Sequence, residues 1–280
     1  VPSADVVKEQ IDQVSLPSDK PYQVVAHGKE PEIRTEGGRK ILVWKQSNPE
    51  IKESPARAPW AGEPAPSIQI TTFQSWKELG EWYRGIQEPQ TKPGSAVQKK
   101  AKELTHGLKS DEERLQALYA FVATKIHYVG LSFGIGRFRP HSAEEVLANG
   151  YGDCKDKHTL LAGMLKAVGL EAWPALVRAT GDIDPDAPIP SQFDHLITVV
   201  PMGNEWLWLD TTSEVGPFGY LSLNLRGKPA LVIPRTSSAL LKNTPALLPF
   251  PQENSYTFVG KLKDDGTIEG HCDVSMRGDG

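Results

Sequence analysis

The chain has 280 residues, a length that implies about two domains with room for part of a third. Hydrophobic residues make up 39% and charged residues 24%, which supplies a packed core and argues against wholesale disorder. Lys plus Arg number 31 against 35 Asp plus Glu, a net charge of −4, so the basic excess of a dedicated nucleic-acid binder is missing.

The longest run without a charged residue, Pro64 to Trp76, is polar and holds two prolines. No membrane-spanning helix is expected from it. Two cysteines, Cys154 and Cys272, cannot build a disulfide framework or a Cys-rich zinc site. Neither end reads as a natural terminus, so the sequence is expected to be a piece of a longer protein.

The first stretch reads as β-rich. Val14, Leu16, Tyr22, Val24 and Val25 form short apolar groups, and Lys40 to Gln46 and Ser67 to Phe73 are strand candidates. Between the last two, residues 47–67 carry five prolines, a density that forbids helix. Ser75 then caps a helix, with Glu78 placed for a capping box. Trp76, Leu79, Trp82, Tyr83 and Ile86 fall on one helical face, the pattern of a core stripe.

Pro89 and Thr91 to Ser95 mark an expected domain boundary. A helix from Ala96 to Thr105 follows, then one capped by Ser110 with Glu113. Lys125 to Phe138 loses helical period and gains glycine, as a loop does. A short helix restarts after Ser142 and stops at Gly150. Leu160, Leu161, Met164, Leu165 and Val168 form the stripe of the next helix, which Gly169 closes. Strand-like runs then cover Glu171 to Ala179, His195 to Val200 and Trp206 to Thr212. Residues 227–251 are proline-punctuated, and a hairpin turns at Asp265-Gly266. Short helices followed by strands, without βαβ alternation, define an α+β class.

Cys154 stands in the first turn of a helix, where the positive end of the macrodipole favours a thiolate. Backbone N–H groups there suit an oxyanion, and Gly152 permits a tight entry. Asp153 and Asp156 flank the thiol and oppose its ionisation. Taken alone, Cys154 reads as a buried, inert cysteine.

A symmetric hairpin around Met202 and Gly203 would set His195 opposite Asp210, Ile197 opposite Trp208 and Val199 opposite Trp206. Opposed residues have Cβ atoms ~4.5–5.5 Å apart. The pair would be the orienting half of a nucleophile–base–acid triad, with one ring nitrogen on Asp210 and the other facing the thiol. A bulge would remove the argument.

The runs YGDCKDKHTLLAGMLKAVGL, FDHLITVV and WLWLDTTS, with SDEERLQALYAFVATKIHYVG and RPHSAEEVLANGYGDC, resemble the transglutaminase-like core of the papain-like thiol fold. The resemblance covers residues 95–235 and is nearest to a bacterial branch whose core sits between two β-rich domains. It implies a partial β-rich domain over 1–90, a catalytic core over 95–240 and the start of another β domain over 241–280. It implies the triad Cys154, His195 and Asp210, with Tyr128 nominated as the upstream oxyanion donor; read from the residues alone, Tyr128 is a packed aromatic at the end of a helix. The implied activity is acyl transfer on an amide, peptide or protein substrate, by a peptidase, amidase or cross-linking enzyme, in an extracytoplasmic setting. A silent scaffold that binds protein or glycan and an amidase for glycan-linked asparagine are the alternatives.

The remaining motifs are weak. Asp182, Asp184 and Asp186 alternate like the start of a calcium loop, but its later glycine and glutamate are missing, so they read as solvated loop charge. Cys272 alternates with Ile268, Val274 and Met276 and reads as a core strand residue. His158, one turn after Cys154, reads as a neighbouring surface or core histidine. Arg277-Gly278-Asp279 reads as a chance tripeptide. No phosphate loop and no paired-histidine metal motif is visible, so neither a cofactor nor a metal is expected. The sequence sets no oligomeric state.

Overall fold

The computed structural model describes residues 6–28, 30–48, 68–130 and 134–279. The chain opens with β1 (Val7–Pro17), β2 (Gln23–Ala26), β3 (Glu32–Glu36), β4 (Arg39–Asn48) and β5 (Ile68–Thr71). β4 lies between β1 and β3 in one antiparallel sheet, and β2 pairs with β5 in another. β3 is a strand that hydrophobic pattern does not announce. Its five residues, Glu-Ile-Arg-Thr-Glu, are all exposed. What makes it is the turn: Gly37 and Gly38 both have positive φ (55° and 73°), as a two-residue type I′ hairpin requires. Most of the proline-rich stretch lies outside the described residues.

α1 (Trp76–Gln87) follows. Ser75 Oγ accepts from Glu78 N at 3.2 Å, while the Glu78 carboxylate accepts from Gln74 N at 2.6 Å, one residue earlier than a capping box places it. The apolar face of α1 buries Leu79 and Tyr83 against Leu176, Phe193, Leu196 and Leu231. A 3₁₀ turn begun by Pro89 ends at buried Thr91, which lies against α5: a Cβ on Gly163 would stand 3.1 Å from the Thr91 carbonyl oxygen.

α2 (Ser95–Leu104), α3 (Asp111–Lys125), β6 (His127–Tyr128), α4 (Ala143–Asn149), β7 (Tyr151–Gly152) and α5 (Cys154–Ala167) come next. Ser110 with Glu113 and Ser142 with Glu145 form complete capping boxes. α5 is the central helix, buried from Lys155 to Leu165. Val97, Leu115, Leu118, Val122 and Val146 pack around its Leu160, Leu161, Met164 and Leu165. Its end is a Schellman motif: Leu170 N donates to Leu165 O at 2.9 Å and Gly169 N to Lys166 O at 3.3 Å.

Beside α5 lies a five-stranded antiparallel sheet of β8 (Trp173–Val177), β9 (His195–Met202), β10 (Glu205–Leu209), β11 (Pro229–Val232) and β12 (Leu240–Asn243), in the order β10-β9-β8-β11-β12. β11 and β12 fall inside the stretch that reads as proline-punctuated. Pro229 occupies the first strand position, where a missing N–H is tolerated, so the prolines bracket the strands rather than exclude them.

The β9–β10 register differs from the symmetric expectation. Met202 pairs with Glu205, Trp206 with Pro201 and Trp208 with Val199. The turn is Gly203-Asn204, with Gly203 at φ 62°, the position where a type II′ turn takes glycine. The slip is two residues, and an even slip leaves every side chain on its expected face.

Two readings are corrected here. β13 (Glu253–Leu262) and β14 (Ile268–Arg277) form the expected hairpin, with Gly266 at φ 84° in its loop, but every residue of both strands is exposed. Cys272 is therefore an exposed cysteine and not a core residue, because no described element covers the ribbon. Asp184 is buried, not a solvated loop charge. Its Oδ2 accepts from Gln69 Nε2 at 2.8 Å and lies 2.6 Å from His27 Nε2, so it ties β5 to the loop after β8. Asp279 forms an ion pair with Arg226.

Candidate active site

Three local devices build the head of α5. Gly150, left-handed at φ 69°, turns the chain out of α4 into β7. β7 pairs in parallel with β6, setting Tyr128 opposite Gly152, and Val129 N donates to Gly152 O at 3.0 Å. Gly152 is required by packing, since a Cβ there would stand 2.5 Å from Asp156 Cβ.

Asp153 is the N-cap of α5. Its Oδ1 accepts from Lys155 N at 3.1 Å and Asp156 N at 3.3 Å, and its Oδ2 forms an ion pair with Lys155 Nζ. Asp156 reciprocates, accepting from Asp153 N at 3.2 Å, and lies 3.1 Å from His141 Nδ1. The two acids flanking the thiol are thus engaged in capping and pairing. Their side chains define the helix start that aims Cys154, which the sequence reading took only as opposing charge.

Cys154 is half-buried and packs against the Leu176–Phe193–Leu196 cluster. His195 begins β9 and Asp210 follows β10 by one residue. His195 Nε2 lies 3.1 Å from Asp210 Oδ2, which leaves Nδ1 as the nitrogen free to meet the thiol. Asp210 Oδ1 accepts from Thr212 N at 2.9 Å and Thr212 Oγ1 at 2.7 Å. Tyr119 Oη donates to the Asp210 carbonyl at 2.9 Å. The carboxylate is therefore locked in place from both sides.

Burial pushes the His195 imidazole toward the neutral form. The hydrogen bond and charge of Asp210, with the nearby Cys154, outweigh it and hold the ring up at about 10. For Asp210, burial pushes upward, but His195 and then Thr212 hold the carboxyl below its ordinary value. A protonated imidazole against the Asp210 carboxylate is the charge state this pair favours.

The thiol opens into a cavity of about 340 Å³ walled by Tyr83, Tyr128, Phe138 and Phe193, with Arg137 on its border. Tyr128 is half-exposed, not a packed aromatic. Partial burial and the nearby Cys154, Asp153 and Asp210 charges push its phenol up to about 12, so it stays a hydrogen-bond donor at neutral pH. Tyr83 is fully buried, and burial and the charges of Cys154, Asp153 and Asp156 raise it well above its usual value.

His158 is a core histidine. Its Nδ1 lies 2.8 Å from Thr198 Oγ1, and burial pushes it down to about 3. The sequence reading missed Lys157, which is fully buried and donates to the carbonyls of Ala123 at 3.1 Å and Ile126 at 2.7 Å. It closes the end of α3 just before Tyr128. A lysine inside an otherwise apolar stripe, three residues after the cysteine, was the available signal. Among the described residues, no group of His, Cys, Asp and Glu is arranged to hold a metal.

A half-buried thiol at a helix head, packed against an antiparallel sheet that presents a histidine–carboxylate pair, defines an α+β protein of the thiol-site class. Residues 98–211, less than half of the chain, match the transglutaminase-like superfamily. Among curated proteins none matches the chain. Among solved structures, a Parabacteroides distasonis protein provisionally described as a protease is 16% identical, with a TM-score of 0.67 over 87% of this chain and 46% of its own. That likeness is one of fold, and the chain spans less than half the length of that protein. A Cytophaga hutchinsonii protein provisionally described as a cysteine protease is 12% identical, with a TM-score of 0.37 over 97% of this chain and 91% of its own.

Proposed function

We propose that the protein performs thiol-dependent acyl transfer on an amide or peptide bond, with Cys154 as nucleophile, His195 as general acid and base, and Asp210 as the group that orients and stabilises the imidazolium. The observation that carries this reading is His195, bonded to Asp210 at 3.1 Å and lining one cavity with Cys154.

The thiolate attacks the carbonyl carbon, and the C=O electrons move to oxygen. The oxyanion is met by the backbone at the head of α5 and by the Tyr128 phenol. Collapse breaks the C–N bond, and His195 Nδ1 gives its proton to the departing amine. Water, or an acceptor amine, then loses its proton to His195 and attacks the thioester, which releases Cys154. Water makes the protein a hydrolase, and an amine makes it a cross-linker. Hydrolysis is the reading we adopt.

The test is acyl-enzyme trapping. The protein is mixed with a panel of peptide p-nitroanilides, quenched in acid and weighed intact. The expected result is an acyl adduct on Cys154 that decays in water and is absent from His195→Ala. A substrate that turns over with no adduct on Cys154 would defeat the proposal.

A further inference from the structure

We propose a second ligand site, separate from the thiol cavity, that takes a carboxylate carried on a short apolar chain. It lies where the end of α1 meets the end of α5 and the start of β8. Arg84, Gln87, Lys166, Leu170, Pro174 and Ile233 line it, around a cavity of about 60 Å³. Lys166 stands twelve residues after Cys154 on α5, or roughly 18 Å along the axis at 1.5 Å per residue.

The argument rests on donors without acceptors. Gln87 is 3% exposed, and its Nε2 and the Nε of Arg84 are buried with no hydrogen-bond partner. Buried polar groups are normally paired, and leaving them unpaired is unfavourable. Arg84 is not loose, because its other arm donates to Ser237 O at 2.5 Å. That contact presets the guanidinium fork. Lys166 adds an exposed ammonium that has no ion-pair partner among the described residues.

Two acids, Glu88 and Glu171, also line the cavity, but neither bonds the orphaned donors. Glu88 pairs with Arg235 at 3.4 Å, and Glu171 accepts from Trp173 Nε1 at 2.7 Å. The lining sets three cations, Arg84, Lys166 and Arg235, against those two acids, with an apolar wall of Ile233, Leu170 and Pro174. A cavity of this size holds about two waters' worth of volume. It therefore accommodates a carboxylate group, with the short tail on the apolar wall. A guanidinium beside an amide donor suits a planar two-oxygen anion. The site stands whether or not Cys154 acts as a nucleophile, because none of its lining residues belongs to the thiol cavity.

The probe is sodium butyrate, added to the isotopically labelled full chain and followed by the side-chain N–H signals of Arg84 and Gln87. Neutral butyramide and ionic-strength-matched sodium chloride are the controls. The expected result is a saturable shift of both signals with butyrate alone. Gln87→Met should weaken binding about tenfold, the effect of removing one buried donor. Lys166→Ala, at an exposed position that leaves the fold intact, should weaken it about threefold and carries the test if the Gln87 variant does not fold. Shifts that never saturate, an equal response to butyramide, or unchanged binding in both variants would overturn the proposal.

Discussion

Two antiparallel hairpins of this protein have opposite fates. β9–β10 is covered on both faces: Leu196 to Val200 are all buried, between the cluster around α5 and the cluster holding Leu221 and Leu225. β9 accordingly reads as a near-continuous apolar run, whereas β13–β14 alternates. One face gathers Tyr256, Phe258, Leu262, Ile268, Val274 and Met276, yet all six are exposed. Alternation reports which side chains share a face. It does not report whether anything lies on that face. The two cysteines mark the contrast, since Cys154 is half-buried beside a histidine and Cys272 is exposed on the bare ribbon.

The largest effects should separate these regions through chemistry. Cys154→Ala should abolish peptide-amide turnover, and Cys272→Ala should leave it unchanged. Asp210→Asn should lower turnover by about 10²- to 10⁴-fold, because the imidazole loses the group that fixes its proton. Steady-state assays on folded variants check all three, and full activity in Asp210→Asn would break the distinction.

Stability gives a smaller contrast. Ile197→Ala, at a residue 1% exposed, should lower stability by about 2–5 kcal/mol. Val274→Ala, at one 51% exposed, should change it by about 0.5 kcal/mol or less. Urea titration measures both. Similar losses would mean that the ribbon is covered in solution.

Smaller still is a pH effect inside the core. Folded His158 stays neutral down to about pH 3, whereas the unfolded residue takes up a proton below about 6.5. The unfolded chain binds the extra proton between those values, so stability should rise with pH through that window. His158→Gln should flatten the rise between about pH 4.5 and 6.5, above the range where the carboxylates contribute. An unchanged melting profile would show that His158 is charged in the fold.

How much of this was legible in the sequence varied with the physics. Helix starts were readable because Ser110 and Ser142 act on backbone groups three residues away. The thiol helix was readable because its apolar stripe is strong. The meeting of His195 and Asp210 was readable although the register was not: the Gly203-Asn204 turn slipped the pairing by an even step. β3, β11 and β12 were hidden because they are short, polar or proline-flanked, and pairing partners far away in sequence define them. Asp184 was misread for a similar reason. Its partners, His27 and Gln69, lie more than a hundred residues upstream. Tyr83 was correctly read as core, but nothing local shows that this part of the core walls a cavity.

The most direct test of the account is competitive alkylation. Under limiting iodoacetamide at neutral pH, exposure alone would label Cys272 ahead of Cys154. The account predicts the reverse, with Cys154 modified first and its advantage lost in His195→Ala. Preferential labelling of Cys272 in the unaltered protein, with Cys154 equally slow in the presence and absence of the histidine, would contradict it.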